Sequence, residues 1–166
     1  MNTLSYPYLP VAGKILYVDS SNPFMQAAKE TAHQFSLDIT MPTGSVVVKK
    51  DRIVGKGANG STYHEIHGCE RVRLGIPTGQ GYELCEGCHP KNHSEPKAIA
   101  DALKHTDTLD DAVIYLWGHW WCCEACWKAM LDHGITTIYL LKNSEILFNK
   151  NNAGNIVGHQ FSNDAP

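Results

Sequence analysis

Long apolar runs are missing from these 166 residues, and so is any excess of positive charge. No stretch approaches the roughly 18 consecutive apolar residues that a membrane-spanning helix requires, so no membrane partner is expected. Residues 1–19 carry Pro7 and Pro10 and only Lys14 as a cation, which is not the basic-then-apolar pattern of an export signal, and a cytoplasmic location is the expectation. The formal net charge is −3. A protein that clamps long nucleic acid displaces counterions with a basic surface. Here the densest basic stretch, Lys49, Lys50, Arg52 and Lys56, is interrupted by Asp51 and reads as a solvated hairpin tip. Long nucleic acid is therefore not an expected partner. Internal repeats and linker-like stretches are also absent, which predicts one domain over residues 1–166, long enough to bury a real core.

The apolar residues that are present fall into periodic blocks. Lys14–Asp19 can form a short strand. Asn22 and Pro23 resemble a helix start, with Asn as cap and Pro in the first turn. Phe24, Ala27, Ala28, Thr31, Ala32 and Phe35 then recur at helical spacing. Ser45–Lys49 and Arg52–Lys56 flank the polar pair Lys50-Asp51 as a hairpin, and Val46-Val47-Val48 predicts a strand buried on both faces. A helix is expected from about Pro96 to Lys104, a strand over Val113–Trp117, a helix over Glu124–Leu131 closed by His133-Gly134, and a strand over Ile135–Leu141. Helices alternating with strands in this order predict a three-layer α/β sandwich. Residues 57–92, rich in Gly, His and Cys, form a loop too long to be mere connection, and residues 142–166 read as a loose polar tail or a short last element.

Six cysteines in a reducing compartment point to metal or catalysis rather than disulfides. His93-Ser94-Glu95-Pro96 and Cys123-Glu124-Ala125-Cys126 each open a predicted helix. Catalytic zinc takes three protein ligands and keeps one position open. Cys123 and Cys126, three apart on a first helical turn, face one side, and the helix N-terminus favours their thiolates. His93 supplies the third ligand. Glu95, two residues beyond it, is placed to move protons to and from a water on the metal.

These residues resemble the cytidine and deoxycytidylate deaminases, over roughly residues 24–142. The similarity extends to Gly57-Ala58-Asn59-Gly60, and to Gly68-Cys69-Glu70-Arg71-Val72-Arg73-Leu74-Gly75-Ile76-Pro77-Thr78-Gly79 followed by Tyr82-Glu83-Leu84-Cys85. The latter run looks like the insert of bacterial deoxycytidylate-deaminase-like proteins. The resemblance implies an α/β/α sandwich on a mixed sheet and a Cys/His-rich insert at about 60–92. It implies hydrolytic deamination of a nucleotide or nucleoside, dCMP to dUMP with ammonia release as the best guess, and a homo-oligomer. Asn59 is the substrate contact it implies, and Ser94, inside the His-x-Glu motif, and Trp121 are expected beside it as further substrate contacts. The chain departs from the family at Ser94, where Ala is common, at Lys97, where Asn is usual, and at Cys122, where Pro precedes the first cysteine. Trp117-Gly118-His119-Trp120-Trp121 also lengthens a turn that normally walls the base pocket, which keeps cytosine, guanine, adenosine or a pteridine-like ring open as alternatives. His119 reads as a polar pocket contact or a surface residue, with the surface preferred.

Cys69, Cys85 and Cys88, with His67 or His64 as fourth ligand and His67 preferred, can hold a second, structural zinc that orders the insert. A rival reading joins Cys85 and Cys88 to Cys123 and Cys126 in one four-thiolate zinc site, which makes the chain a non-catalytic binding module and leaves His93 and Glu95 idle.

Overall fold

The computed structural model describes residues 4–77 and 79–166. Thr78, inside the insert motif, lies outside the described residues. Five strands form one sheet in the order β1-β5-β4-β2-β3: β1 (Lys14–Val18), β2 (Gly44–Lys49), β3 (Arg52–Ala58), β4 (Val113–Trp117) and β5 (Thr137–Leu141). β2 runs antiparallel to β3 and β4, while β4, β5 and β1 are mutually parallel, so the sheet is mixed as the resemblance implies.

Alternation along the strands separates two cores. Val47, Ile114, Leu116, Ile138 and Leu140 face α4 (Ser94–Ala102) and α5 (Glu124–Asp132), where they pack on Ala98, Ile99, Trp127 and Met130. Val46, Val48, Tyr115, Trp117 and Leu141 face the other way, onto Met25, Ala28 and Ala32 of α1 (Pro23–Phe35). The valine triplet of β2 is buried on both faces for this reason. The hairpin tip is a two-residue turn with Lys50 and Asp51 both at positive φ, 52° and 60°, the twist a tight hairpin demands.

Local chemistry places α1 and α4. Asn22 Oδ1 accepts hydrogen bonds from the Phe24 and Met25 amides at 3.0 and 3.1 Å, capping α1, with Pro23 opening it. α4 lies so close over β3 that a Cβ on Gly57 would stand 2.3 Å from the Ala98 amide nitrogen. Glycine is required there to seat the helix that carries Ser94 and Glu95.

The insert is built from one-turn elements: α2 (Tyr63–His67), α3 (Glu70–Arg73) and three 3₁₀ turns at Tyr82–Leu84, Glu86–Cys88 and Pro90–Asn92. None of their large apolar residues joins either main core. The C-terminal segment is more ordered than its polar composition predicts. After α6 (Ser144–Leu147), Phe148 is buried, and Phe161 stacks on Trp117 with ring centroids 5.2 Å apart. Gln160 donates to the Thr40 carbonyl at 2.9 Å. Isolated aromatic anchors without periodicity give no helix or strand signal, which is why the sequence left this stretch open.

Candidate active site

His93 and Cys123 occupy equivalent positions, each the cap residue of a helix entering from the same end of the sheet. Cys123 Sγ accepts from the Cys126 amide at 3.4 Å, so the cap interaction itself aims the thiol along the first turn of α5. His93 Nδ1 lies 3.2 Å from Cys126 Sγ and 3.5 Å from Cys123 Sγ, and the two sulfurs are 3.1 Å apart. A tetrahedral ion with bonds near 2.3 Å spaces its ligands by about 3.7 Å, close to this triangle. The donor set also calls for a cation. A shared hydrogen bond with Cys126 and burial push the Cys123 thiol above its ordinary range. Cys126, facing the Cys122 thiol and buried beside Glu95, is raised too. Packing two acidic thiols and a carboxylate together is unfavourable until a divalent ion reverses the local electrostatics.

Glu95 is buried, 6% exposed, and still lines the cavity. One of its carboxylate oxygens lies within 4.8 Å of Cys126 Sγ. Ser94 Oγ donates to Glu95 Oε2 at 3.1 Å and contacts Ser45 Oγ at 2.7 Å. From the sequence, Ser94 is expected to contact the substrate. Its side chain is instead fully buried between β2 and α4, absent from the cavity wall, and steadies Glu95 from behind.

The cavity in front of Glu95 and His93 has a volume of about 510 Å³, within the range of small-molecule sites. Asn59 and Trp121 lie on its wall, as do Tyr82, His119 and Arg71. Asn59 is largely engaged by the protein: Oδ1 accepts from Ser36 Oγ at 2.6 Å and the Thr43 amide at 2.8 Å, and Nδ2 donates to the Met41 carbonyl at 2.8 Å. Lys97 donates to the carbonyl of Gly60 at 2.8 Å and so braces the same loop. Trp117 points away, into the α1 core, whereas Trp121 reaches the cavity four residues later. Gly118, at φ 101°, makes this reversal, and a Cβ there would meet the Pro42 carbonyl oxygen at 2.3 Å.

Two cavity residues were not among the expected substrate contacts. His119 belongs to this wall and not to the outer surface. Burial, and then the neighbouring His93, lower its pKa to about 4. Tyr82 presents its ring edge to His93 at 4.9 Å, and its hydroxyl accepts from the Gly79 amide at 3.1 Å. It sits in the insert motif, which offered family resemblance but no hint that the chain folds back over the His93, Cys123 and Cys126 triangle.

The second group of donors is His64, Cys69, Cys85 and Cys88, whose ligand atoms all lie within 4.8 Å of one another. His64 Nε2 stands 3.3 Å from Cys85 Sγ and 3.6 Å from Cys88 Sγ, and the sulfurs of Cys69 and Cys88 are 3.5 Å apart. These spacings match the edges of a tetrahedral zinc site with no open position. The fourth donor is His64, correcting the preference for His67. His67 lies one turn further along α2, where its ring packs on Tyr63 at 4.6 Å. Burial opposes ionisation of Cys85, but hydrogen bonds at its sulfur from the Glu70 backbone, His64 and the Cys88 and Gly87 backbones win, lowering its pKa to about 6. Arg71 clamps this cluster to the cavity wall, donating to Cys88 Sγ at 3.4 Å, the Pro77 carbonyl at 2.8 Å and the Gln80 carbonyl at 2.9 Å. The two Cys-x-x-Cys pairs thus fall in separate clusters, against the single four-thiolate site of the rival reading. Cys122 turns into the core beside Met130 and is not part of the His93 triangle.

The cytidine and deoxycytidylate deaminase zinc-binding region matches residues 18–142, which take in α1 through β5 and the donor triangle just described. The chain belongs to that family. Among solved structures it is similar to the dCMP deaminase of cyanophage S-TIM5, at 18% identity, covering 73% of this chain and 82% of that one with a TM-score of 0.47. It is also similar to a guanine deaminase of Bacillus subtilis, at 19% identity, covering 70% and 60% with a TM-score of 0.44. A third is the diaminohydroxyphosphoribosylaminopyrimidine deaminase/5-amino-6-(5-phosphoribosylamino)uracil reductase of Thermotoga maritima, at 22% identity, covering 70% and 28% with a TM-score of 0.42. No curated protein matches the chain. Among the described residues no helix is long and apolar enough to cross a membrane.

Proposed function

We propose that this chain is a zinc-dependent hydrolase that deaminates the base of a small nucleotide, with dCMP as substrate and dUMP and ammonia as products. The observation that carries the reading is the convergence of His93, Cys123 and Cys126 beside the buried carboxylate of Glu95 at the end of one cavity. His93, Cys123 and Cys126 would hold the catalytic ion, which when bound supplies a water acidified to a pKa of about 7. Glu95 accepts a proton from the attacking water and delivers it to the ring nitrogen. It then carries the second proton to the departing amine, so ammonia leaves as a carbonyl forms on the ring. Ser94, itself held by Ser45, donates to one carboxylate oxygen, which leaves the other for these transfers. Trp121 and Tyr82 shape an apolar slot for the base, and Asn59 holds the loop that bounds it.

The choice of dCMP rests on the insert motif and on the cavity's size. Lys150, exposed at the rim, offers a cation for a phosphate, whereas the guanidinium of Arg71 is engaged by the insert. A second zinc held by His64, Cys69, Cys85 and Cys88 has a structural role.

The test is ammonia release by purified protein from dCMP, deoxycytidine, cytosine, guanine and adenosine, with zinc counted on the same sample. Two zinc ions per chain and fastest turnover of dCMP are expected. Faster turnover of another member reassigns the substrate, and zinc-loaded protein that releases ammonia from none of them overturns the reading.

A further inference from the structure

His119 is tied back to its own turn. Its Nδ1 accepts hydrogen bonds from the amides of Trp120 and Trp121 at 3.0 and 3.3 Å. A ring nitrogen that accepts carries no proton, so the proton of the neutral imidazole is on Nε2. An imidazolium, with donors on both nitrogens, could not make these bonds. The ring is further fixed edge-on against Trp121, with centroids 5.7 Å apart. His119 lies on the wall of the catalytic cavity, and among the described residues Nε2 makes no hydrogen bond of its own. It is also not one of the sealed, unpartnered polar atoms of the interior. The turn therefore holds one oriented N–H donor on the wall of the space that holds Glu95 and His93, beside the ring of Trp121.

We infer that His119 is a specificity-determining residue, whose Nε2–H donates to a carbonyl oxygen on the base while the base lies against Trp121. The inference rests on the deaminase reading and narrows its substrate class to bases with a ring carbonyl, such as cytosine. A carbonyl that does not react is present in substrate, transition state and product alike. A bond to it is uniform binding, which lowers KM and leaves kcat nearly unchanged. The neighbouring donors are less suited to the task. Asn59 uses its oxygen and one N–H within the protein, and Arg71 is held by three insert atoms.

Two variants separate the donor from the turn it belongs to. Asn at this position keeps an acceptor oxygen close to where Nδ1 stands but has nothing at Nε2. Gln reaches the Nε2 position with an N–H. On zinc-loaded protein, His119→Asn is expected to raise the KM for dCMP and the Kd for dUMP, read by calorimetry, by about five- to tenfold, the range for one lost hydrogen bond. The kcat should stay within about threefold, and His119→Gln should recover most of the affinity. Wild type should prefer dUMP over its 2-thio analogue, a weaker acceptor, and His119→Asn should lose that preference. The inference is overturned if His119→Asn binds dUMP as wild type does, if the loss is in kcat with KM intact, or if Gln is no better than Asn. The dUMP-binding outcomes are independent of turnover. Wild type that binds dUMP and shows the His119 effect without releasing ammonia removes the deaminase reading and leaves the recognition role. Wild type that binds no dUMP removes the role along with the cytosine assignment.

Discussion

Two His/Cys clusters stand on the wall of one cavity, and they are built in opposite ways. The His93, Cys123 and Cys126 triangle has three donors, each on a helix that packs directly on the sheet. The His64, Cys69, Cys85 and Cys88 group has four donors, mounted on single turns whose large apolar residues join neither main core. Three donors leave a coordination position for chemistry, and four close it. The acid follows the same division. Glu95 is buried against the three-donor cluster, while the four-donor cluster has Arg71. A site that must hold reacting atoms to fractions of an ångström is placed on the rigid sandwich. A site that only needs to exist can be made of turns, and it lends those turns the order that their few apolar contacts do not.

The largest effect that tests this division is at Glu95. Glu95→Gln should lower the deamination rate by about 10²–10⁴, the usual worth of a positioned proton carrier, while zinc content per chain stays at the wild-type value. Equal activity would remove the acid from the three-donor cluster and with it the contrast. Next come the ligands themselves. Cys126→Ser should abolish activity and release one zinc. Cys88→Ser should release the other zinc and lower the melting temperature, while the zinc at His93 remains, as metal analysis on each variant would show. Loss of both ions from either variant would mean that the clusters form one unit.

Two glycines give a finer cut. Gly57→Ala places a Cβ 2.3 Å from the Ala98 nitrogen, and Gly87→Ala places one 2.4 Å from His64 Nε2. The first should cost about 1–3 kcal/mol in denaturant unfolding and lower kcat by shifting α4 with Glu95. The second should displace His64 and weaken one zinc, with little change in unfolding energy of the sandwich. The smallest effect concerns pH. The fold holds His119 at a pKa of about 4, below the ordinary 6.5, so the folded chain resists a proton that the unfolded chain accepts. That contribution is complete above pH 6.5 and drains away as pH falls toward 4. His119→Asn has no such group, so the melting temperature of wild type relative to the variant should decline by up to a few degrees between pH 7 and pH 5.

Much of this was legible in the chain. β4 falls on Val113–Trp117 as its apolar run predicts, α1 starts at the Asn22 cap, and the hairpin turns at Lys50-Asp51. These are local signals, set by periodicity, capping and turn chemistry, and they need no distant partner. His93, Glu95, Cys123 and Cys126 were legible too, because the spacing of donors on a first helical turn is itself a local property.

The rest required contacts between residues far apart. Ser94 and Ser45 are 49 positions apart, and only the packing of α4 on β2 shows that Ser94 serves Glu95 and not the base. Choosing His64 over His67, which are three apart and so share one side of α2, depended on which of them comes level with the 3₁₀ turn of Cys88, a position along the helix that periodicity cannot supply. The tail was fixed by Phe148 and Phe161 finding Trp117. The sequence by itself determined the strands, the helix starts and the donors that chemistry requires. Tertiary structure decided what faces the cavity, Trp121, Tyr82 and His119 among them, because the direction of a side chain on a turn is set by whatever packs behind it.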